Sequence, residues 1–450
     1  MNNDKDDGAS VDEVLPAQQT LMLSLQHLLA AYASLAVTPL VVASALEWSP
    51  SEVTLILSAC LVTSGLCTLI QCLGILGTGI GVKLPVVQGT TIAAIPPLIM
   101  IGSSGGFNAM FGATIVAGLF AFLVAPYWSR MLHFFPPVVT GTVIAVIGLS
   151  LFPVAIMWMG GGGGFGPQEV ATPDMVLGLA TMLFVITVIK FGRGIWARTA
   201  ILLGLVVGTL VAALFGLVDF SNVGQAEWLA VVYPFAMGPP TFSLSASVAM
   251  ILAMVVTMVE STGDYIAIGE VCDKRVDQRK LTAGLRAEGL GTVLGGIMNS
   301  FPYTTFSQNT GVLRVSGVKS RWVVAVCGGM MILLGFFPKL SAIATSIPLP
   351  VLGGCGVVLF GSITCTGLKI IGRVDLDDNG NLIIVGVSIG MAMIVVCNPT
   401  FFDALPDGLR SVLNSAITLG GISAILLNLL FNVLARKAPA DRSGLSQERG

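Results

Sequence analysis

Three carboxylates stand in stretches where water should be scarce. Glu260 and Asp264 lie in MVVTMVESTGDYIAIG (254–269), and Glu288 lies in LRAEGLGTVLGG (285–296). Almost all of the other acids among the 24 Asp and Glu fall in polar tails or connections. Glu260 and Asp264 are four residues apart, so on a helix they share one face. Glu260 is the deeper of the two in its apolar run. An acid at the centre of a bilayer costs on the order of 3 kcal/mol on insertion scales. A chain that keeps three either uses them or ties them into helix packing by hydrogen bonds. A carboxyl held away from water readily takes up a proton, and when charged it accepts hydrogen bonds from N–H donors. That chemistry suits a small polar cargo carried together with a proton. His27, in SLQHLLAAY (24–32), is also set in an apolar run. Its simpler role is packing and hydrogen bonding; the other is an approach to the acids.

The segments that must position these groups are hydrophobic throughout. Of 450 residues, 54% are apolar and 10% charged, with a mean hydropathy of +0.90, against roughly 25% charged in a soluble chain. A soluble core cannot hide that much apolar surface, whereas a bilayer can. The net charge of −2 leaves no basic footprint for nucleic acid. The 8 cysteines form no CxxC pair and read as small buried hydrophobes, with neither a disulfide framework nor a metal site. The glycine run at 160–164 lacks the Lys-Ser/Thr of a phosphate loop, and no HExxH or Ser–His–Asp pattern is recognisable. The chain therefore reads as a non-enzyme without a cofactor.

A membrane helix needs about 20 mainly apolar residues. Such runs fall near 21–44, 53–76, 107–126, 137–159, 174–191, 199–217, 246–269, 281–298, 322–347, 350–371, 381–397 and 411–434. Two more stretches, 77–102 and 299–317, are apolar but interrupted by Gly, Pro, Ser, Thr, Asn and Gln, which makes fourteen spans. Charge supports this count. Of 22 Lys and Arg, only Lys339 and Arg410 then fall opposite the termini and Arg286 falls within a span. Basic residues stay cytoplasmic, so both termini are expected inside. The acidic residues 1–17 read as a short disordered tail.

The interrupted stretches are the third and tenth spans, seven apart. LPVVQGTT (84–91) and FPYTTFSQNTG (301–311) each read as a proline-led strand, a polar Gln (Gln88, Gln308) and a Gly-containing helix start. A seven-span repeat places the second copy upside down relative to the first. The two strands can then pair antiparallel at mid-membrane, with both half-helices aiming free N–H groups into one cavity. The plainer alternative is that these Gly and Pro residues only permit kinks and close packing.

These motifs resemble the nucleobase–ascorbate transporter family, also called nucleobase–cation symporters. QNTGVLRVSG (308–317) carries the family signature, joined by SFPYTTFS, ESTGD, the LQH of the first span and the QGTT of the third. The resemblance runs from about residue 20 to 434. It implies a substrate-carrying core (21–126, spans 1–4, and 245–347, spans 8–11) and a dimerising gate (127–244, spans 5–7, and 348–435, spans 12–14). Tails occupy 1–20 and 436–450. It implies that Glu260 and Gln308 grip a nucleobase, with backbone near Thr91, Ile92 and Ser307 completing the pocket. His27, Gln88, Asp264, Glu288, Asn309 and Gly311 would support or couple transport. Gln at 308 points to purines of the xanthine and uric acid type, where a second acid would point to uracil. Glu288, Ile92 and Arg314 depart from the usual pattern. The expectation is a proton-coupled homodimeric symporter of a bacterial inner membrane, with sodium the other candidate ion. An anion transporter of the sulfate/bicarbonate type and a channel are rival readings; an acidic centre disfavours the former, and paired broken spans disfavour the latter.

Overall fold

A computed structural model describes residues 9–131, 136–162, 170–405, 413 and 416–434. Residues 163 and 164 of the glycine run at 160–164 and the whole C-terminal tail lie outside these residues. The chain is helical apart from two short strands. In order, the elements are α1 (Ala17–Ala45), α2 (Pro50–Leu73), β1 (Gln88–Thr90), a 3-10 turn (Ile92–Ala94), α3 (Ile95–Met131), α4 (Pro137–Met159), α5 (Thr172–Phe191) and α6 (Ala200–Leu214). The second half follows with α7 (Leu244–Val271), α8 (Gln278–Ile297), β2 (Tyr303–Thr305), α9 (Ser307–Ser316), α10 (Arg321–Gly335), α11 (Pro338–Thr345), α12 (Leu349–Ile371), α13 (Asn379–Cys397) and α14 (Ala416–Asn428).

Among the described residues, 9 helices are long and apolar enough to cross a bilayer, or 10 if α10 and α11, bent by 80°, form one span. The other expected spans are short, broken or charged. α6 has 15 residues, α8 carries Arg286 and Glu288, and 299–317 is strand β2 followed by the 10-residue α9. The 77–102 stretch does not stand alone. Its helix runs on through α3, broken only at Gly106, whose φ of 64° and ψ of −164° are not helical. α5 and α13 are the outermost of the long helices, with 22% of each apolar window buried. Leu183, Ile186 and Ile189 on α5 and Leu382 and Val387 on α13 are exposed, as helices facing lipid require.

Helix packing repeats itself. Let α1, α2, β1, α3, α4, α5 and α6 correspond to α7, α8, β2, α10, α12, α13 and α14. The extensive pair α2–α10 then becomes α8–α3, α1–α10 becomes α7–α3, α5–α6 becomes α13–α14, and α12–α5 becomes α4–α13; all eight pairings are present. The repeat extends to single residues. A Cβ at Gly65 on α2 would stand 2.4 Å from the carbonyl oxygen of Gly328 on α10, and one at Gly289 on α8 would stand 2.8 Å from that of Gly118 on α3. Only glycine lets these backbones approach so closely.

The N-terminal segment corrects one expectation. Residues 9–12 form a helical turn with Val11 buried. Asp12 pairs with Arg321, and the Ser320 hydroxyl donates to the Glu13 carbonyl at 2.6 Å. An apolar valine finding a seat between polar neighbours anchors a stretch whose acidity alone reads as disorder. Of the cysteines, Cys365 and Cys397 are exposed rather than buried.

Candidate functional site

The strands form the centre of the site. β1 and β2 pair antiparallel, with Gln88 opposite Thr305, Gly89 opposite Thr304 and Thr90 opposite Tyr303. Thr91 N–H donates to the Pro302 carbonyl at 2.9 Å and Phe306 N–H to the Val87 carbonyl at 3.0 Å, extending the pairing past both strands. Further strand amides reach the helices. Gln88 N–H donates to Thr68 Oγ1 on α2 at 3.0 Å, and Tyr303 N–H donates to Thr292 Oγ1 on α8 at 3.0 Å. Gln88 and Tyr303 each open a strand, and α2 and α8 correspond, so the two threonines are the same device in each half. Extended backbone buried in a membrane protein survives only when every such group is satisfied.

Tight packing fixes the crossing. Gly89 lies under the Phe306 ring, where a Cβ would meet the ring 2.0 Å away. Thr91 caps the 3-10 turn by accepting from Ala93 N–H at 3.3 Å, and its hydroxyl meets that of Thr257 on α7 at 3.1 Å. Ile92 follows, half-buried. α9 begins one residue after β2, with Phe306 as its N-cap. The two glutamines are therefore not equivalent: Gln88 is a strand residue, whereas Gln308 belongs to the first turn of a helix. The side chains of Ser307, Gln308 and Arg314 lie outside the described residues.

α7 brings the acids to the crossing. Ser261, next to Glu260, places its hydroxyl 3.1 Å from Thr304 Oγ1 and accepts from Thr305 N–H at 3.4 Å. Glu260 and Asp264 are half-buried on this helix. Asp264 Oδ2 is buried, with no hydrogen-bond partner among the described residues. Glu288 is fully buried on α8. Its Oε2 accepts from the Tyr265 hydroxyl at 3.3 Å and lies 3.5 Å from Gln88 Nε2. Gln88 Nε2 also donates to Tyr265 Oη at 3.2 Å and Thr305 Oγ1 at 3.1 Å. Gln71, buried on α2, donates to Tyr265 Oη at 2.6 Å and to the Gly284 carbonyl at 2.9 Å.

His27 and Asn309 join α1 to α9. Asn309 Nδ2 lies 3.1 Å from His27 Nδ1 and donates to the His27 carbonyl at 3.0 Å. Among the described residues, Asn309 is thus a partner of His27. Among the described residues, a Cβ at Gly311 would meet nothing within 4 Å. Sequence reasoning missed Tyr265 and Gln71. Gln71 carried a usable signal, being an amide within the apolar run 53–76; Tyr265 carried none beyond following Asp264.

Comparison with known proteins gives the family and the fold. The profile of a family described as the Permease family matches residues 18–401. A uric acid permease of Bacillus subtilis is 42% identical over 92% of this chain and 96% of its own length. A nucleobase transporter of Paenibacillus larvae is 40% identical over 96% and 98%, and a xanthine permease of Bacillus subtilis is 37% identical over 93% and 95%. The transmembrane domain of a cyanobacterial bicarbonate transporter shares the fold, with a TM-score of 0.59 at 16% identity, covering 93% of this chain and all of that one. A multi-pass membrane transporter is the class that fold and site define. The chain belongs to the nucleobase–ascorbate transporter family, in its xanthine and uric acid permease branch.

Proposed function

We propose that this protein is a secondary active symporter that carries purine nucleobases, xanthine or uric acid or both, into the cell by alternating access, driven by protons. The observation that carries this reading is the strand crossing set against the acid-bearing face of α7. Ser261 contacts Thr304 of β2 and Thr257 contacts Thr91, the residue after β1, so Glu260, next to Ser261 and three residues after Thr257, is held beside the ends of two half-helices. A carboxylate there accepts ring N–H groups of a purine dione, and helix-start amides donate to its carbonyls. Relatives of near-equal length named as uric acid and xanthine permeases support the cargo.

The packing supports a division into a core of α1–α3 and α7–α11 and a gate of α4–α6 and α12–α14. Helices within each set pack on one another far more than across sets. An apolar cleft between them is lined by Val255, Val256 and Val259 of α7, Val143 of α4 and Ile417 of α14. Core movement against the gate along this cleft would expose Glu260 to each side in turn. In this reading the protein is a homodimer through the gate, in a bacterial inner membrane with both termini in the cytoplasm. Uptake of labelled xanthine, uric acid, guanine and uracil by expressing cells, with and without a protonophore, tests it. Uptake of uracil alone would replace the purine assignment.

A further inference from the structure

Tyr265 is surrounded by more hydrogen-bond partners than a hydroxyl can serve at once. A phenol has one hydrogen to give and two lone pairs to receive. Both lone pairs are engaged, by Gln71 Nε2 at 2.6 Å and Gln88 Nε2 at 3.2 Å. Two acceptors compete for the single hydrogen, the Gly284 carbonyl at 3.1 Å and Glu288 Oε2 at 3.3 Å. Gly284 has a second donor in Gln71 Nε2 at 2.9 Å. The hydroxyl can therefore turn to Glu288 without stranding a buried carbonyl. Gln88 and Thr305, which face each other across the strand pair, are joined to the same cluster at 3.1 Å.

We propose that Tyr265 is a positioning residue that conveys the protonation state of Glu288 to the strand crossing. When Glu288 is charged, the hydroxyl donates to it, and the Gln88 amide is held between Tyr265, Thr305 and Glu288. When Glu288 takes up a proton, the hydroxyl turns to Gly284, and the carboxyl becomes a donor beside Gln88, whose Oε1 is buried with no partner among the described residues. No bond to hydrogen breaks at Tyr265; the phenol hydrogen only changes acceptor. The proton that titrates is the one Glu288 gains or loses. This inference rests on the proton-coupled symport proposed above.

Other groups can share that titration. Glu260 and Asp264 on α7 and Cys67 on α2 are near enough to feel the charge of Glu288. On α3, Phe111, Ile115, Gly118, Phe122 and Ala125 meet α8, and none of these carries a charge. Arg286 on α8 itself stacks over Phe122 at 5.7 Å.

The test is the pH dependence of purine uptake in proteoliposomes containing Tyr265→Phe, with the unaltered protein as reference. The substitution keeps the ring and removes the hydrogen. The expected result is a profile displaced to the alkaline side, because charged Glu288 has lost its hydroxyl donor, together with a turnover lowered more than affinity. In a Glu288→Gln background the same change should displace nothing. Gln71→Met is the second variant and decides the matter if Tyr265→Phe does not fold. It leaves the Gly284 carbonyl without its amide, so Gly284 draws the phenol hydrogen away from Glu288, and the displacement should have the same sign. A profile unchanged in the folded variants overturns the role of Tyr265. Absence of purine uptake by the unaltered protein would instead overturn the symport on which it rests.

Discussion

Asn309 Nδ2 sits between the Nδ1 and the carbonyl oxygen of His27, 3.1 and 3.0 Å away. The double contact orients both groups. Turning the Asn309 amide over would set its oxygen against the His27 carbonyl, so the nitrogen faces histidine. Nδ1 must then accept, which places the ring hydrogen of neutral His27 on Nε2. A residue in the first turn of the broken α9 is thereby fastened to α1, far away in sequence.

Asn309→Ala should slow transport more than it weakens binding. It leaves two buried acceptors on His27 without this donor, a loss of roughly 1–3 kcal/mol. A fall in maximal uptake of about 5- to 150-fold with KM close to the parent is expected. A raised KM with unchanged maximal rate would place Asn309 against the cargo instead.

Glu260→Gln should reach the membrane and fail to transport. The substitution keeps size and removes the charge that, in the proposed function, accepts from ring N–H donors. Charge-assisted hydrogen bonds contribute about 1.5–3 kcal/mol, so uptake should fall by at least roughly tenfold. Near-normal uptake by correctly inserted mutant would remove Glu260 from the mechanism.

Gly89 and Gly311 should respond to alanine in opposite ways. A Cβ at position 89 enters the Phe306 ring, whereas one at 311 enters open space. Overpacking costs about 1–3 kcal/mol, so Gly89→Ala should lower the melting temperature of the solubilised protein. Alanine is the better helix former by about 1 kcal/mol, so Gly311→Ala should melt no lower than the parent. Equal melting of all three proteins would mean that Phe306 does not pack on Gly89 in the membrane.

Gln308→Glu should alter the inhibition profile of unlabelled bases against labelled xanthine or uric acid. The role of Gln308 comes from the family resemblance and its place in the first turn of α9. In that role a carboxyl would replace an amide donor and leave a ligand carbonyl unpaired, costing about 1–3 kcal/mol. An unchanged profile would show that Gln308 does not face the base.

Much of this architecture was legible because membrane burial writes strong rules into a sequence. Intramembrane acids are too costly to be accidental, which singled out Glu260, Asp264 and Glu288. The paired broken spans announced the strands, since proline and β-branched residues at matching places in two halves have few other uses. What stayed hidden was of two kinds. Tyr265 and Gln71 act through partners on other helices, and one residue's type does not reveal a hub assembled from four elements. The offset between Gln88 and Gln308 was concealed because strand and helix start lie within three residues of each other in both halves. The seat of Val11 depends on residues 320 and 321, which no local pattern connects to it.

The force that drives accumulation is the most direct test of proton-coupled symport. Purified protein in proteoliposomes, given an inward proton gradient and labelled uric acid or xanthine, should concentrate the base inside. A protonophore should abolish that accumulation, and replacing sodium should leave it intact. Accumulation that follows sodium and ignores the protonophore, or no uptake of either purine, would contradict it.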